Sequence, residues 1–274
     1  MQSILELLGP NHSGKTTFTE ALIQGLESEH WGQHHVLVMD ADPNGHLSQH
    51  LSARLNQLET SDITRPDILD PETNNTSKSN ASSHTLSDLI KEFQDKPTLS
   101  NEAIEWRLQD LMETINPKVD LLRVGQFPAE VPTGIEKMLL YGIKRLIQHY
   151  DVLLLDGDSP FLRNKLLASL SMPFQSLILC TMTQWDERFL HPETLNIPSA
   201  NWIANQCPPE VIQGRITGVL GEALDEALDD GRIRLIAKVP MFSNPEEDIQ
   251  TQLPLLIQNA LLKIDLPFVQ SVGR

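Results

Sequence analysis

The sequence predicts an α/β fold with a mostly parallel sheet and helices on both faces. Three observations lead there. Short apolar runs (Ser3–Leu8, His35–Met39, Val119–Gly125, Val152–Leu155, Ser176–Thr181) alternate with segments whose apolar residues recur at three- and four-residue steps. The runs are almost continuously apolar, as strands buried on both faces must be. Two of them end in acids, at Asp40 and Asp156, where an α/β sheet presents its ligand-binding edge.

The first run leads into Gly9-Pro10-Asn11-His12-Ser13-Gly14-Lys15-Thr16-Thr17, which fits G-x-x-x-x-G-K-[ST]. Gly9 and Gly14 permit backbone turns that point successive N–H groups at a phosphate. Lys15 places a point charge beside the β- and γ-phosphates, and the Thr16 hydroxyl suits Mg²⁺. Phe18, Ala21, Leu22 and Leu26 then fall on one helical face, so the loop opens a helix whose dipole favours anions. The expected class is a P-loop NTPase.

Length and composition fit one domain of 274 residues with 40% apolar residues and a polar insertion at about 56–84. That insertion is expected to be mobile, since residues 62–84 are rich in Asn, Ser, Thr and Pro and poor in apolar anchors. The net charge of −16 argues against nucleic acid or an anionic membrane as a general partner. No apolar stretch is long enough to span a bilayer, and no secretory signal is evident. Cys180 and Cys207 read as two reduced thiols, so a cytoplasmic location is expected.

The second run ends in Asp40-Ala41-Asp42-Pro43-Asn44, and Pro43 is expected to stop the strand. Asp42 is the functional choice; Asp40 serves equally well as a turn or cap residue. A helix is expected from Thr85 to Ile90, and a second over Asn101–Ile115 with Trp106 in the core. After the strand near Val119, the residues Ile135, Leu139, Ile143 and Leu146 mark a core-facing helix. Val152–Leu155 then delivers Asp156 to the loop edge, the expected metal-serving carboxylate, while Asp158 is expected to cap the next helix. Asn201–Asn205 forms another strand, whose final asparagine could read a base edge. Residues Leu220–Leu228 form a helix with an acidic face, Arg232–Val239 the last strand, closed by Pro240, and Leu253–Ile264 a packed terminal helix. His34-His35 and the His46/His50 pair resemble metal pairs but lack a third ligand at sensible spacing.

The order P-loop, Asp-x-Asp-Pro at the second strand, Asp156 after a later strand resembles the MinD/ParA group of P-loop ATPases, nearest to the CooC-like accessory ATPases. The segments Val38–Asn44, Asp120–Gln126 and Tyr150–Asp156 carry the likeness. The loop Asn11–Thr17 is also similar to nucleotide-binding proteins of the MobB type. The MinD/ParA resemblance implies ATP and Mg²⁺ as ligands. It implies that Asp42 positions or activates the attacking water and Asp156 serves Mg²⁺, with Asn205 and the Pro240 loop flanking adenine. That group usually carries an early loop lysine reaching across a nucleotide-dependent homodimer. Pro10 stands at that position, and residues 127–136 lack the Cys-x-Cys of the nickel-chaperone branch. The function expected is an ATPase switch acting on a protein partner, slow on its own. A small-molecule phosphoryl transferase and a non-catalytic ATP-binding module are the alternatives, with ATP modestly preferred over GTP because no Asn-Lys-x-Asp stretch occurs.

Overall fold

The computed structural model describes residues 3–27, 34–42, 44–61, 84–95, 100–127, 131–157, 159, 161–170, 172–195, 197, 200–242 and 250–264; for residues 54–61, 167 and 219 the backbone alone is described. An eight-stranded sheet runs through it. In chain order the strands are β1 (Ser3–Leu8), β2 (Val36–Asp40), β3 (Met112–Asn116), β4 (Val119–Arg123), β5 (Val152–Asp156), β6 (Phe174–Thr181), β7 (Ala200–Cys207) and β8 (Ile233–Pro240). The sheet order is β3-β4-β2-β5-β1-β6-β7-β8. Every pairing is parallel except β3 with β4. The predicted fold class therefore stands.

Helices α1 (Lys15–Glu27), α2 (His46–Ser61) and α8 (Leu253–Leu261) contribute to one core with Leu5, Leu7, Val38 and Leu154 of the sheet. Helices α3 (Leu86–Asp95), α4 (Asn101–Asp110) and α5 (Thr133–Ile147) cover the other face over Ile4, Met39 and Leu155. On that same face α6 (Pro209–Gln213) and α7 (Gly218–Asp229) enclose a separate core around Leu8, Ile178 and Trp202. Alternate residues of β1 thus feed opposite faces, the period-two pattern of a strand buried on both sides. Glu6 falls at the seam between the two cores of the second face. It is fully buried, and it is held by Arg163 Nε at 2.9 Å and Ser176 Oγ at 3.0 Å. Arg163 belongs to a π-helical turn, Leu162–Leu167, that follows β5.

The structure corrects two expectations in the α4 region. The helix ends at Asp110 instead of Ile115, and Met112–Asn116 becomes the antiparallel edge strand β3. Residues 117–118 turn the chain straight into β4, a hairpin that Asn116-Pro117 signals. Trp106, expected in the core, is 61% exposed. Ile104 and Leu108, four residues apart, face inward, and Trp106 midway between them is carried to the solvent side by the helical period. Helix α2 continues through Ser61, and 62–83, most of the expected polar insertion, lie outside the described residues.

Candidate functional site

Strands β2, β5 and β1 are neighbours, so the three predicted site segments emerge side by side at their C-terminal ends. The chain winds outward from β1 to β2 and β4 on one side and then to β6, β7 and β8 on the other. The loop after β1 therefore lies where the winding reverses, the place for a ligand in this architecture.

The loop Gly9–Gly14 is bent as its glycines allow. Gly9 has φ +148°, and a Cβ there would lie 2.1 Å from the Leu179 carbonyl oxygen. Gly14 has φ +87°, with Asn205 Nδ2 only 2.5 Å from where its Cβ would be. His12 takes a left-handed φ of 62° without being glycine, local strain of the kind found at ligand sites. Lys15 begins α1 and folds back over the loop, its Nζ donating to the carbonyls of Gly9 and Pro10 at 2.9 Å each. The buried Ser13 hydroxyl oxygen has no hydrogen-bond partner among the described residues. Asn205 Nδ2 donates to the Ser13 carbonyl at 2.8 Å. The Gln184 side-chain amide, in the orientation that satisfies it, donates to the carbonyls of His12 and Asn11 at 3.0 and 3.1 Å. Sequence reasoning missed Gln184, which lies in a loop far along the chain.

Beside the loop is a recess of about 170 Å³ lined by Gly14, Thr17, Phe18, Asn205, Pro240 and Met241, among others. It is smaller than the roughly 300 Å³ at which pockets for whole small molecules begin. It suits a flat base, with any polyphosphate lying outside along the loop. The structure thus brings Asn205 and Pro240 to one recess beside the P-loop.

On the opposite side stand three carboxylates. Asp40 and Asp156 are register partners on β2 and β5, and Ala41 N donates to the Asp156 carbonyl at 2.8 Å. Asp40 is buried, and its Oδ2 accepts from Ser48 N at 2.8 Å and from Ser48 Oγ, while Oδ1 accepts from Asp42 N at 3.1 Å. It thus anchors the first turn of α2, the structural alternative for this residue. Burial pushes its pKa up against those hydrogen bonds. Asp156 is buried too, accepting from Thr19 Oγ1 at 3.2 Å, one helical turn beyond Thr16. Burial first, and then the negative charge of Asp40, raise its pKa to about 7, with Lys15 and Thr19 opposing.

Asp42 is 28% exposed and more heavily bonded than its sequence position reveals. Its Oδ1 accepts from Asn44 N at 2.9 Å and Asn44 Nδ2 at 3.3 Å, and its Oδ2 from His46 Nδ1 at 2.6 Å. His50 turns instead to Glu20 of α1 at 3.2 Å, so the two histidines do not form a metal pair. Among the described residues no group of three His, Cys, Asp or Glu side chains could hold a metal alone. Thr16, expected to serve a metal, and Asp156 offer only oxygen donors, a hydroxyl and a carboxylate. That chemistry fits Mg²⁺ held with phosphate oxygens and water. Asp158 and Pro43 lie outside the described residues. Cys180 and Cys207 are buried free thiols, and burial pushes Cys180 up to about 12, so neither is a nucleophile here.

A bent P-loop opening a helix, on a doubly wound sheet with acids at the neighbouring strand tips, defines a P-loop α/β architecture. No family model matches the chain, and no curated protein matches its sequence. Solved structures do match its fold. A plasmid partition protein of Borrelia burgdorferi bound to AMPPNP superposes with a TM-score of 0.59 at 15% identity, over 95% of this chain and 96% of that one. The ATP complex of a Cyanothece McdA variant gives 0.54 at 14% identity, over 97% and 98% of the two chains. The MinD cell division protein of Aquifex aeolicus gives 0.52 at 15% identity, over 99% and 93%. The fold is that of the ParA, MinD and McdA ATPase structures. No helix among the described residues is long and apolar enough to cross a membrane.

Proposed function

We propose that this chain binds ATP with Mg²⁺ and hydrolyses it slowly, as a switch that regulates a protein partner. One observation carries the reading: a single bent loop separates a base-sized recess from a cluster of buried carboxylates. The fold's likeness to proteins solved with AMPPNP and with ATP supports it. The loop amides and Lys15 cradle the phosphates, Asn205 and Pro240 flank the base, and Thr16 and Asp156 hold the metal. Mg²⁺ held there would neutralise phosphate charge. Asp156, which burial and Asp40 keep half-protonated near neutral pH, would then be held in its ionised form.

Lys15 exchanges its two loop carbonyls for phosphate oxygens, stronger charge-assisted partners. Pro10 supplies no second cation, so turnover of the chain alone is slow. The motif order favours an accessory role of the CooC-like kind, without that branch's cysteine metal site. Nucleotide-dependent pairing of two copies would require contacts other than a loop lysine.

Calorimetry with ATP and GTP, each with and without millimolar magnesium, tests the binding. Phosphate release and light scattering with ADP or an ATP analogue test the switch. The Lys15→Ala chain should lose at least about tenfold in triphosphate affinity, about 1.4 kcal/mol. Absence of binding heat with either purine triphosphate would overturn the reading.

A further inference from the structure

The hydrogen bond between His46 and Asp42 assigns the histidine a chemical task within the proposed ATPase reaction, and so rests on that reading. An ionised carboxylate only accepts hydrogen bonds, so the 2.6 Å contact requires the proton to sit on His46 Nδ1. In the neutral ring, that tautomer leaves the lone pair on Nε2. The imidazole is 59% exposed, at the first residue of α2 on the sheet edge where the P-loop and the acids converge. Asp42, in contrast, has three of its roughly four lone-pair directions already occupied, by Asn44 N, Asn44 Nδ2 and His46 Nδ1. It is built to hold a neighbour in place. A carboxylate that fixes the tautomer of a histidine, which then takes a proton from the nucleophile, is a recurring catalytic arrangement.

We infer that His46 Nε2 is the general base for the attacking water, and that Asp42 is the residue that positions it. The water gives one proton to Nε2 while its oxygen bonds to the γ-phosphorus. The bond from that phosphorus to the β–γ bridging oxygen breaks, and ADP leaves with the electron pair. The imidazolium then returns its proton to phosphate or solvent. Other ionisable groups border this corner. Asp40 at the end of β2 is engaged by Ser48, Asp156 of β5 by Thr19, and His50 of α2 by Glu20 of α1, while Lys15 lies over the P-loop. None of these contacts reaches His46.

The experiment measures phosphate release by the full chain with Mg-ATP from pH 5 to 9, for the parent, His46→Gln and Asp42→Asn, with ATP binding followed in parallel by calorimetry. In the parent, kcat should rise with pH as the general base loses its proton. His46→Gln should lower kcat by about 10²- to 10⁴-fold and abolish that limb, leaving ATP affinity within a few-fold of the parent. Asp42→Asn should lower kcat but keep a limb. Added imidazole should restore part of the rate to His46→Ala. A His46→Gln chain that hydrolyses at the parental rate, or retains the limb, overturns the assignment and returns the base to Asp42. A parent that binds ATP but releases no phosphate at any pH overturns the ATPase reading as well, so the two failures are told apart.

Discussion

Asn205, at the end of β7, donates its amide hydrogen to the carbonyl of Ser13 in the P-loop, 192 positions earlier in the chain, at 2.8 Å. The same side chain walls the base-sized recess, so one residue both shapes the P-loop and bounds the proposed base site. Asn205→Ala removes a hydrogen bond of about 1 kcal/mol and part of the wall, and should weaken ATP binding several-fold. Asn205→Asp should do more harm, because a carboxylate cannot donate to the Ser13 carbonyl and repels it instead. Calorimetric titration with Mg-ATP compares the two. Parental affinity in Asn205→Asp would show that the contact does not shape the loop.

Asp156 gives stability a pH dependence in the nucleotide- and metal-free chain. Its pKa is raised from 3.8 to about 7 by folding, chiefly through burial and the neighbouring Asp40. Between those values the folded state binds more protons than the unfolded one, so stability contributed by this group is present at low pH and is lost as pH rises to about 7. Asp40, shifted in the same direction, adds to the slope. Asp156→Asn should flatten the curve and, measured with chelator at pH 8, stabilise the chain by as much as about 4 kcal/mol. Urea midpoints at pH 5 and pH 8 give the comparison. An unchanged slope in Asp156→Asn would place the titration elsewhere.

Most of the sheet and the P-loop could be read from the sequence because their signals are local: apolar runs, helical periods, and nine consecutive residues that fit one motif. Asp40, Asp42 and Asp156 were legible as strand-end acids for the same reason. Their side-chain partners were not. That Asp40 anchors α2 through Ser48, that Asp42 grips His46, and that Asp156 meets Thr19 depend on side-chain directions that only the packed sheet fixes. Strand β3 was hidden inside what reads as a continuing helix, because its apolar residues Met112 and Ile115 stand three apart, a helical spacing, and in the strand pack against opposite cores.

Helices α4 and α5 approach closely at Gly142, where a Cβ would lie 2.6 Å from Leu108 Cδ1 and 3.1 Å from Ile104 Cγ2. Alanine favours a helix over glycine by about 1 kcal/mol, but overpacking a buried contact costs about 1–3 kcal/mol. Leu108 and Ile104 are fully buried and have little room to yield. Gly142→Ala should therefore lose about 1 kcal/mol. Gly134, in the first turn of the same helix, has nothing within 4 Å of a new Cβ, so Gly134→Ala should be neutral or stabilising. Chemical denaturation of both variants decides it; equal effects would mean that the helices part freely at Gly142.

Glu6 and Arg163 form an ion pair at the seam between two apolar cores, at 0% and 6% exposure. The pair ties the central strand to the π-helical turn after Asp156, and Arg163 Nη1 extends the link to the Leu195 carbonyl at 3.3 Å. Two charges are costly to bury, and their attraction offsets that cost only while both are present. Arg163→Met takes the guanidinium from a carboxylate that water cannot reach, and should cost about 3–5 kcal/mol. Glu6→Leu should cost a similar amount by leaving the cation in the core. The double variant Glu6→Leu/Arg163→Met removes both charges and should be clearly more stable than the sum of the single losses predicts, by more than about 1 kcal/mol. Strictly additive losses in a double-mutant cycle would show that the two residues contribute through their apolar contacts and not as a pair.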